Sequence, residues 1–146
     1  MRENPTVLEL DATLDNLLSV QEGVSSAAHA VGYAEDQLLR IELVVEEAFL
    51  NVVHHAYHDR GGKVVVTCEL TDHGLFQVTI IDHADPFDTG SPPSPGFDDA
   101  LDVRQPGGCG MTLIRNMTKS AVWQREADRN LLSMVFDPPA VAGRPV

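Results

Sequence analysis

The chain is poor in the features that staple, anchor or charge a protein from outside its own core. It has two cysteines in 146 residues, Cys68 in a predicted strand and Cys109 between glycines. Without a Cys-x-x-Cys spacing, neither a disulfide framework nor a thiolate metal site is expected, and both thiols are read as reduced. Basic residues are also scarce: ten Lys and Arg stand against 22 Asp and Glu, a net charge of −12. That balance argues against non-specific binding to nucleic acid or anionic membrane and makes a basic protein surface the expected kind of partner. No apolar run reaches the roughly 18 residues of a membrane span, and Met1-Arg2-Glu3-Asn4-Pro5 lacks the apolar core of a signal peptide. The reading is a cytoplasmic protein. Four sequence patterns are missing too: the P-loop, the dinucleotide glycine fingerprint, the zincin helix and the Gly-x-Ser-x-Gly elbow.

What is present suits one compact domain, residues 1–137, followed by a frayed tail over 138–146. Thr6 to Leu10 alternates like a short strand, and a helical pattern runs from about Leu14 to Val31, where Gly32 breaks it. A second helix spans about Glu35 to Tyr57 before the turn signal Asp59-Arg60-Gly61-Gly62. Lys63–Leu70 and Leu75–Asp82 read as an antiparallel hairpin, and a third helix runs from about Gly110 to Met117. Ser120–Glu126 and Leu131–Phe136 are two more strands, turning at Asp128-Arg129-Asn130. Between Asp82 and the third helix, residues 83–108 hold five of the nine prolines and five aspartates. A structureless stretch longer than roughly 12–15 residues is usually a lid or binding loop in a compact domain.

Three constellations carry chemistry. On the second helix, Leu38, Ile41, Val45, Ala48, Val52 and Ala56 form the core stripe at 3.6-residue spacing. Glu35, Glu42 and Glu46 gather on a solvated flank, while Glu47, Asn51, His54 and His58 share a separate narrow polar sector. An acid and an amide one turn apart on a largely buried helix imply that something polar docks there, a metal-bound anion for choice. In the hairpin's second strand, Phe76, Val78 and Ile80 face the core by parity, and Asp82 continues that parity at the strand's end. A lone acceptor at the base of an apolar pocket selects an amino group, such as the exocyclic amine of a purine, over a carbonyl; the competing reading is an Asp that caps the following loop through its own backbone amides. The third constellation is Pro106-Gly107-Gly108-Cys109-Gly110-Met111, glycines that let backbone approach an anion at the start of a helix.

In this order and spacing the chain resembles a family. Glu47-x-x-x-Asn51 with His55-Ala56-Tyr57, then Asp82-x-Ala84-x-Pro86-Phe87-Asp88, then Gly107-Gly108-Cys109-Gly110-Met111 with Leu113-Ile114-Arg115, is similar to the ATP-binding fold shared by gyrase and histidine kinases. Within it, the likeness is to the anti-sigma factor serine/threonine kinases, and it spans Thr6 to Phe136. The resemblance implies an α/β two-layer sandwich: a mixed, mostly antiparallel sheet with helices on one face and an ATP lid between the third strand and third helix. It implies ATP and Mg²⁺ as cofactors, Glu47 as general base, and Asn51 as the Mg²⁺ ligand. Nucleotide contacts would come from Asn51, His54, His55, Asp82, Ala84, Arg104, Gly108, Gly110 and Met111. The implied partners are an anti-sigma-factor antagonist of the STAS type, a sigma factor and a second copy of the chain. Two positions depart from the family. Ala84 stands where glycine is usual, and Cys109 where a long side chain is common, which leaves the γ-phosphate contact missing or supplied by Arg104. The alternative is a non-catalytic, nucleotide-gated binding module of the same fold.

Overall fold

The computed structural model describes residues 5–86 and 109–139; Arg104, Gly108 and most of the expected lid and tail lie outside the described residues. The chain opens with strand β1 (Thr6–Asp11), whose side chains alternate between half-buried and exposed, and a single 3₁₀ turn, Leu14–Asn16, leads into helix α1 (Leu17–Ala30). Gly32 ends that helix with φ +107, a conformation that a β-carbon would strain, while the Val31 and Gly32 N–H groups take the last carbonyls. Helix α2 (Glu35–Asn51) contains neither Gly nor Pro. Glu35 and Asp36 lie in its first turn, where the helix dipole favours acids, and the Gln37 side chain accepts the Ala34 N–H at 3.1 Å.

The remaining elements are β2 (Lys63–Leu70), β3 (Phe76–Asp82), α3 (Cys109–Met117), β4 (Ser120–Glu126) and β5 (Arg129–Val135). They form one five-stranded sheet in the order β1-β2-β3-β5-β4. All four pairings are antiparallel, so the expected mixed sheet has no parallel pair among the described residues. The link through α3 delivers β4 to the sheet edge, and a tight hairpin then returns β5 to the gap beside β3. That hairpin pairs Glu126 with Arg129, so Asn130, expected in the turn, is the second residue of β5 instead. The turn falls on Ala127 and Asp128, and Ala127 takes φ 55.

Alternation decides which side of the sheet is covered. Val64, Val66 and Cys68 of β2, Phe76, Val78 and Ile80 of β3, and Leu132 and Met134 of β5 are buried in one cluster with Val20, Val24, Ile41, Val45, Ala48, Phe49 and Ile114 of the helices. The α/β two-layer sandwich is therefore the fold, with α2 packed between α1 and α3 on one face. Each fully buried aliphatic or aromatic side chain here contributes roughly 1.5–3 kcal/mol. The outer sheet face carries Val7 at 51% and Val122 at 49% exposure. Glu42 and Glu46 are half-buried rather than solvated, because Gln21 of α1 donates to the Glu42 carbonyl and the Glu46 carboxylate. No helix among the described residues is long and apolar enough to cross a membrane.

The fold generates two expectations. Burial pushes the Cys68 thiol from 9.0 up to about 12 and the Tyr33 phenol from 10.0 up to about 12. Well below pH 9 both are protonated in the folded and unfolded chains. Above it the unfolded chain ionises first and holds fewer protons than the native state, so stability falls as pH rises toward 12. Urea midpoints measured across this window should decline, and less steeply in Cys68→Val. At the β4–β5 turn, glycine relieves a left-handed strain of roughly 1–2 kcal/mol and adds back part of it as chain entropy. Ala127→Gly should therefore gain about 0.5–1 kcal/mol, read as a melting temperature about 2–3 °C higher by calorimetry.

Candidate functional site

At its C-terminal end α2 stops being an α-helix. Val52–Ala56 form a π turn, closed by the Tyr57 N–H donating five residues back to the Val52 carbonyl at 3.0 Å. Such a turn inserts an extra residue into the helical phase and is frequent at functional sites. It also breaks the polar sector expected on a straight helix. Glu47 and Asn51 remain one turn apart on α2 and half-buried, whereas His54 and His55 fall within the π turn and do not line the cleft described below. His54 Nδ1 meets Asp59 Oδ1 at 2.5 Å, His55 is exposed, and His58 lies beyond the helix at φ 53.

The gap between this helix end and the sheet is a cleft of about 160 Å³. Ala48, Asn51, Val52 and Ala56 form one wall, Ile80 and Asp82 the floor, and Trp123, Arg125, Asn130 and Leu132 the opposite wall. Sites that enclose drug-sized ligands run to roughly 300–1,000 Å³. The cleft formed by the described residues is smaller than that and open on one side. Its surfaces are mainly apolar, with polar groups at Asn51 on the helix side and at Asp82, Asn130, Gln124 and Arg125 on the sheet side.

Asp82 sits where parity placed it, 5% exposed and on the helix-facing side of β3. Its Oδ1 accepts the Ala84 N–H at 2.9 Å and the Asn130 amide at 2.8 Å. The loop-capping role is therefore real, but it uses one oxygen. Oδ2 takes neither bond, and the residue lines the cleft. Asn130, 7% exposed, is the direct cross-strand partner of Asp82. Its Nδ2 also donates to the Asp85 carbonyl at 2.9 Å and lies 3.4 Å from the Ala84 carbonyl. Arg125 Nη1 donates to the Ala84 carbonyl at 2.9 Å and to Asn130 Oδ1 at 3.2 Å. A buried carboxylate is thus held by an amide that is itself held by a guanidinium, and the start of the expected lid is fastened to the β4–β5 hairpin.

Ala84 is buried and is not among the residues with positive φ. The left-handed strain that its methyl group would suffer in place of glycine does not arise. Gly110 falls within the first turn of α3, and Met111, next to it, is half-buried. Asn130, Arg125 and Trp123 were not singled out from the sequence. Asn130 carried a usable signal, since it shares parity with Leu132 and Met134. Trp123 and Arg125 carried none, because nothing local says that the edge strand closes the cleft. Arg115 of α3 lies over the Trp123 ring at 5.1 Å, joining the helix after the glycine string to the cleft wall.

Comparison with known proteins agrees with this architecture. The chain is 31% identical over 99 residues to the serine-protein kinase RsbW of Halalkalibacterium halodurans, a match covering 64% of this chain and 59% of that protein. It therefore spans less than two thirds of that relative's length. Two solved structures share the fold. A chain of the SiaB–SiaC complex from Pseudomonas aeruginosa has a TM-score of 0.62 at 15% identity, covering 90% of both chains. The RsbU and RsbW domains of Rv1364c from Mycobacterium tuberculosis give 0.65 at 17% identity, covering 96% of this chain and 35% of that one. Residues 10–136 match the histidine kinase-like ATPase domain, and the chain belongs to that family.

Proposed function

We propose that this chain is an ATP-dependent serine/threonine protein kinase acting as an anti-sigma regulatory factor. It would phosphorylate an anti-sigma-factor antagonist of the STAS type and sequester a sigma factor. The observation that carries the nucleotide reading is the Asp82 carboxylate: one oxygen accepts from two donors, and the other takes neither bond at the floor of a mainly apolar cleft. That donor set fits an amino-bearing purine, because a lone acceptor there is satisfied by an exocyclic amine and left unpaired by a carbonyl. Asn51, at the opposite pole, offers a hard amide oxygen that fits Mg²⁺, whose remaining ligands are phosphates and water. Kinase activity is supported by the 31% identity to a protein named a serine-protein kinase.

In this reading Asp82 and the Ala84 segment seat the base, and Asn51 holds the metal end. Backbone N–H groups of Gly108, Gly110 and Met111 would serve the phosphates, Arg104 would supply a cation, and His54 or His55 would contribute near that end. When bound, Mg²⁺ held through Asn51 would neutralise charge on the phosphates. Glu47 takes the proton from the substrate hydroxyl as its oxygen bonds to the γ-phosphorus and the bond to the departing diphosphate breaks. Positioning and charge neutralisation carry most of such a transfer, so a site with few basic side chains suffices. The homodimer is part of the proposal, and the outer sheet face with Val7 and Val122 exposed leaves surface for it.

Two measurements test this reading. The wild type should bind ATP more tightly than GTP by calorimetric titration. Asp82→Asn should remove the preference, since an asparagine can keep the cap on its oxygen while turning a donor toward the base. Equal affinities in the wild type would strip Asp82 of base recognition. For the chemistry, Glu47→Gln should leave Mg-ATP binding nearly intact and lower transfer from radiolabelled ATP to the antagonist by roughly 10²–10⁴-fold, whereas Asn51→Ala should weaken both. The labelled product should survive acid, as a phosphoserine or phosphothreonine ester does. Binding without labelling of any antagonist would replace the kinase with the nucleotide-gated binding module.

A further inference from the structure

The function proposed above gives no task to Tyr57, the last residue of the His55-Ala56-Tyr57 string. The structure surrounds it with unusual care. Its N–H closes the π turn that begins directly after Asn51. Its hydroxyl donates to the Lys63 carbonyl at 2.6 Å and accepts the His83 N–H at 2.8 Å. Lys63 opens β2, its neighbour Val64 pairs directly with Asp82, and His83 is the residue immediately after Asp82. Tyr57 therefore closes the turn after Asn51 through its backbone, while its side chain bridges the two strand ends just beyond the Val64–Asp82 pair.

The ring is fixed as firmly as the hydroxyl. A β-carbon added at Gly62 would lie 2.3 Å from Tyr57 Cε1 and 2.5 Å from Cζ. Gly62 is not among the residues with positive φ, so the requirement for glycine there is one of space. The Gly62 carbonyl in turn accepts the Ala12 N–H at 2.8 Å, which fastens that backbone to the end of β1. The tyrosine stands against a wall that cannot easily give. Burial raises the phenol's pKa above its ordinary 10.0, opposed in part by the bond from the His83 backbone and aided by the Asp82 charge. The hydroxyl keeps the proton it donates.

We infer that Tyr57 is a positioning residue for base selection: it holds the Asp82 segment and the Asn51 helix end in one frame, so that the two poles of the cleft keep a fixed separation. A tyrosine hydroxyl does this better than direct packing because it satisfies one donor and one acceptor that meet at different elements. Removing it leaves the His83 N–H and Lys63 carbonyl without that partner, and the backbone carrying Asp82 is free to shift. A carboxylate displaced by a fraction of an ångström still attracts a nucleotide but no longer discriminates between an amine and a carbonyl.

The inference rests on the nucleotide-binding reading, and the test separates the two. Wild type, Tyr57→Phe and Gly62→Ala are titrated with Mg-ATP and Mg-GTP well below their melting temperatures, with thermal unfolding and His83 amide exchange followed in parallel. Tyr57→Phe should weaken ATP binding roughly 5- to 10-fold, change GTP binding little, and speed exchange at His83. Gly62→Ala keeps the hydroxyl but displaces the ring, and should reproduce the loss of preference. A lower melting temperature with an unchanged ATP-to-GTP ratio in both variants would make Tyr57 a purely structural residue and overturn the inference alone. A wild type that binds ATP no better than GTP would overturn the base-reading role of Asp82 and this inference with it.

Discussion

A carboxylate on the core side of a sheet must be satisfied, and the pairing of Asp82 with Asn130 is how this protein does it. Left alone in apolar surroundings an aspartate would be expelled or neutralised. Here an amide 2.8 Å away and the Ala84 N–H both meet the same oxygen. The arrangement depends on strand order. Because β5 returns to lie beside β3, with β4 outside it, residue 130 becomes the cross-strand partner of residue 82. The cleft, the anchored start of the lid and the available second oxygen all follow from that one register.

The helix on the other side contributes by deviating from regularity. A straight α-helix through Tyr57 would stack Glu47, Asn51, His54 and His58 into a ridge. The π turn over Val52–Ala56 ends the ridge at Asn51, and the reversal that follows uses His58 and Asp59 at φ 53 and 64. Left-handed conformations are uncommon outside glycine, though His and Asp are among the residues that tolerate them. The reversal brings Asp59 back onto His54 and delivers Tyr57 to the Asp82 segment. Irregular backbone is concentrated where helix and sheet must meet across a gap, and the regular elements on either side carry the core.

The low count of basic residues takes on meaning once the arginines are placed. Arg125 spends its guanidinium on the Ala84 carbonyl and Asn130, and Arg115 lies over Trp123. Both act as struts for the cleft. An anion at this site would therefore lean on backbone N–H groups and a metal more than on side-chain cations, a solution open to a protein with a net charge of −12.

Local pattern determined a good deal on its own. The two periodicities, 2 and 3.6, located five strands and three helices, and parity alone put Asp82 on the buried face, because side-chain alternation is a property of the strand and needs no knowledge of neighbours. The three motifs, in order, were enough to name the family. What local pattern misplaced was Asn130, read as a turn residue, together with the phase of the helix beyond Asn51 and the burial of Glu42 and Glu46. Each of these is settled by a partner distant in sequence: the Asp82 segment for Asn130, the backbone after Asp82 for the helix end, Gln21 for the two acids. Tertiary structure alone decided which oxygen of Asp82 is free and which residues close the cleft from β4. Those facts belong to the register between strands some fifty residues apart, and no stretch of sequence carries the register by itself.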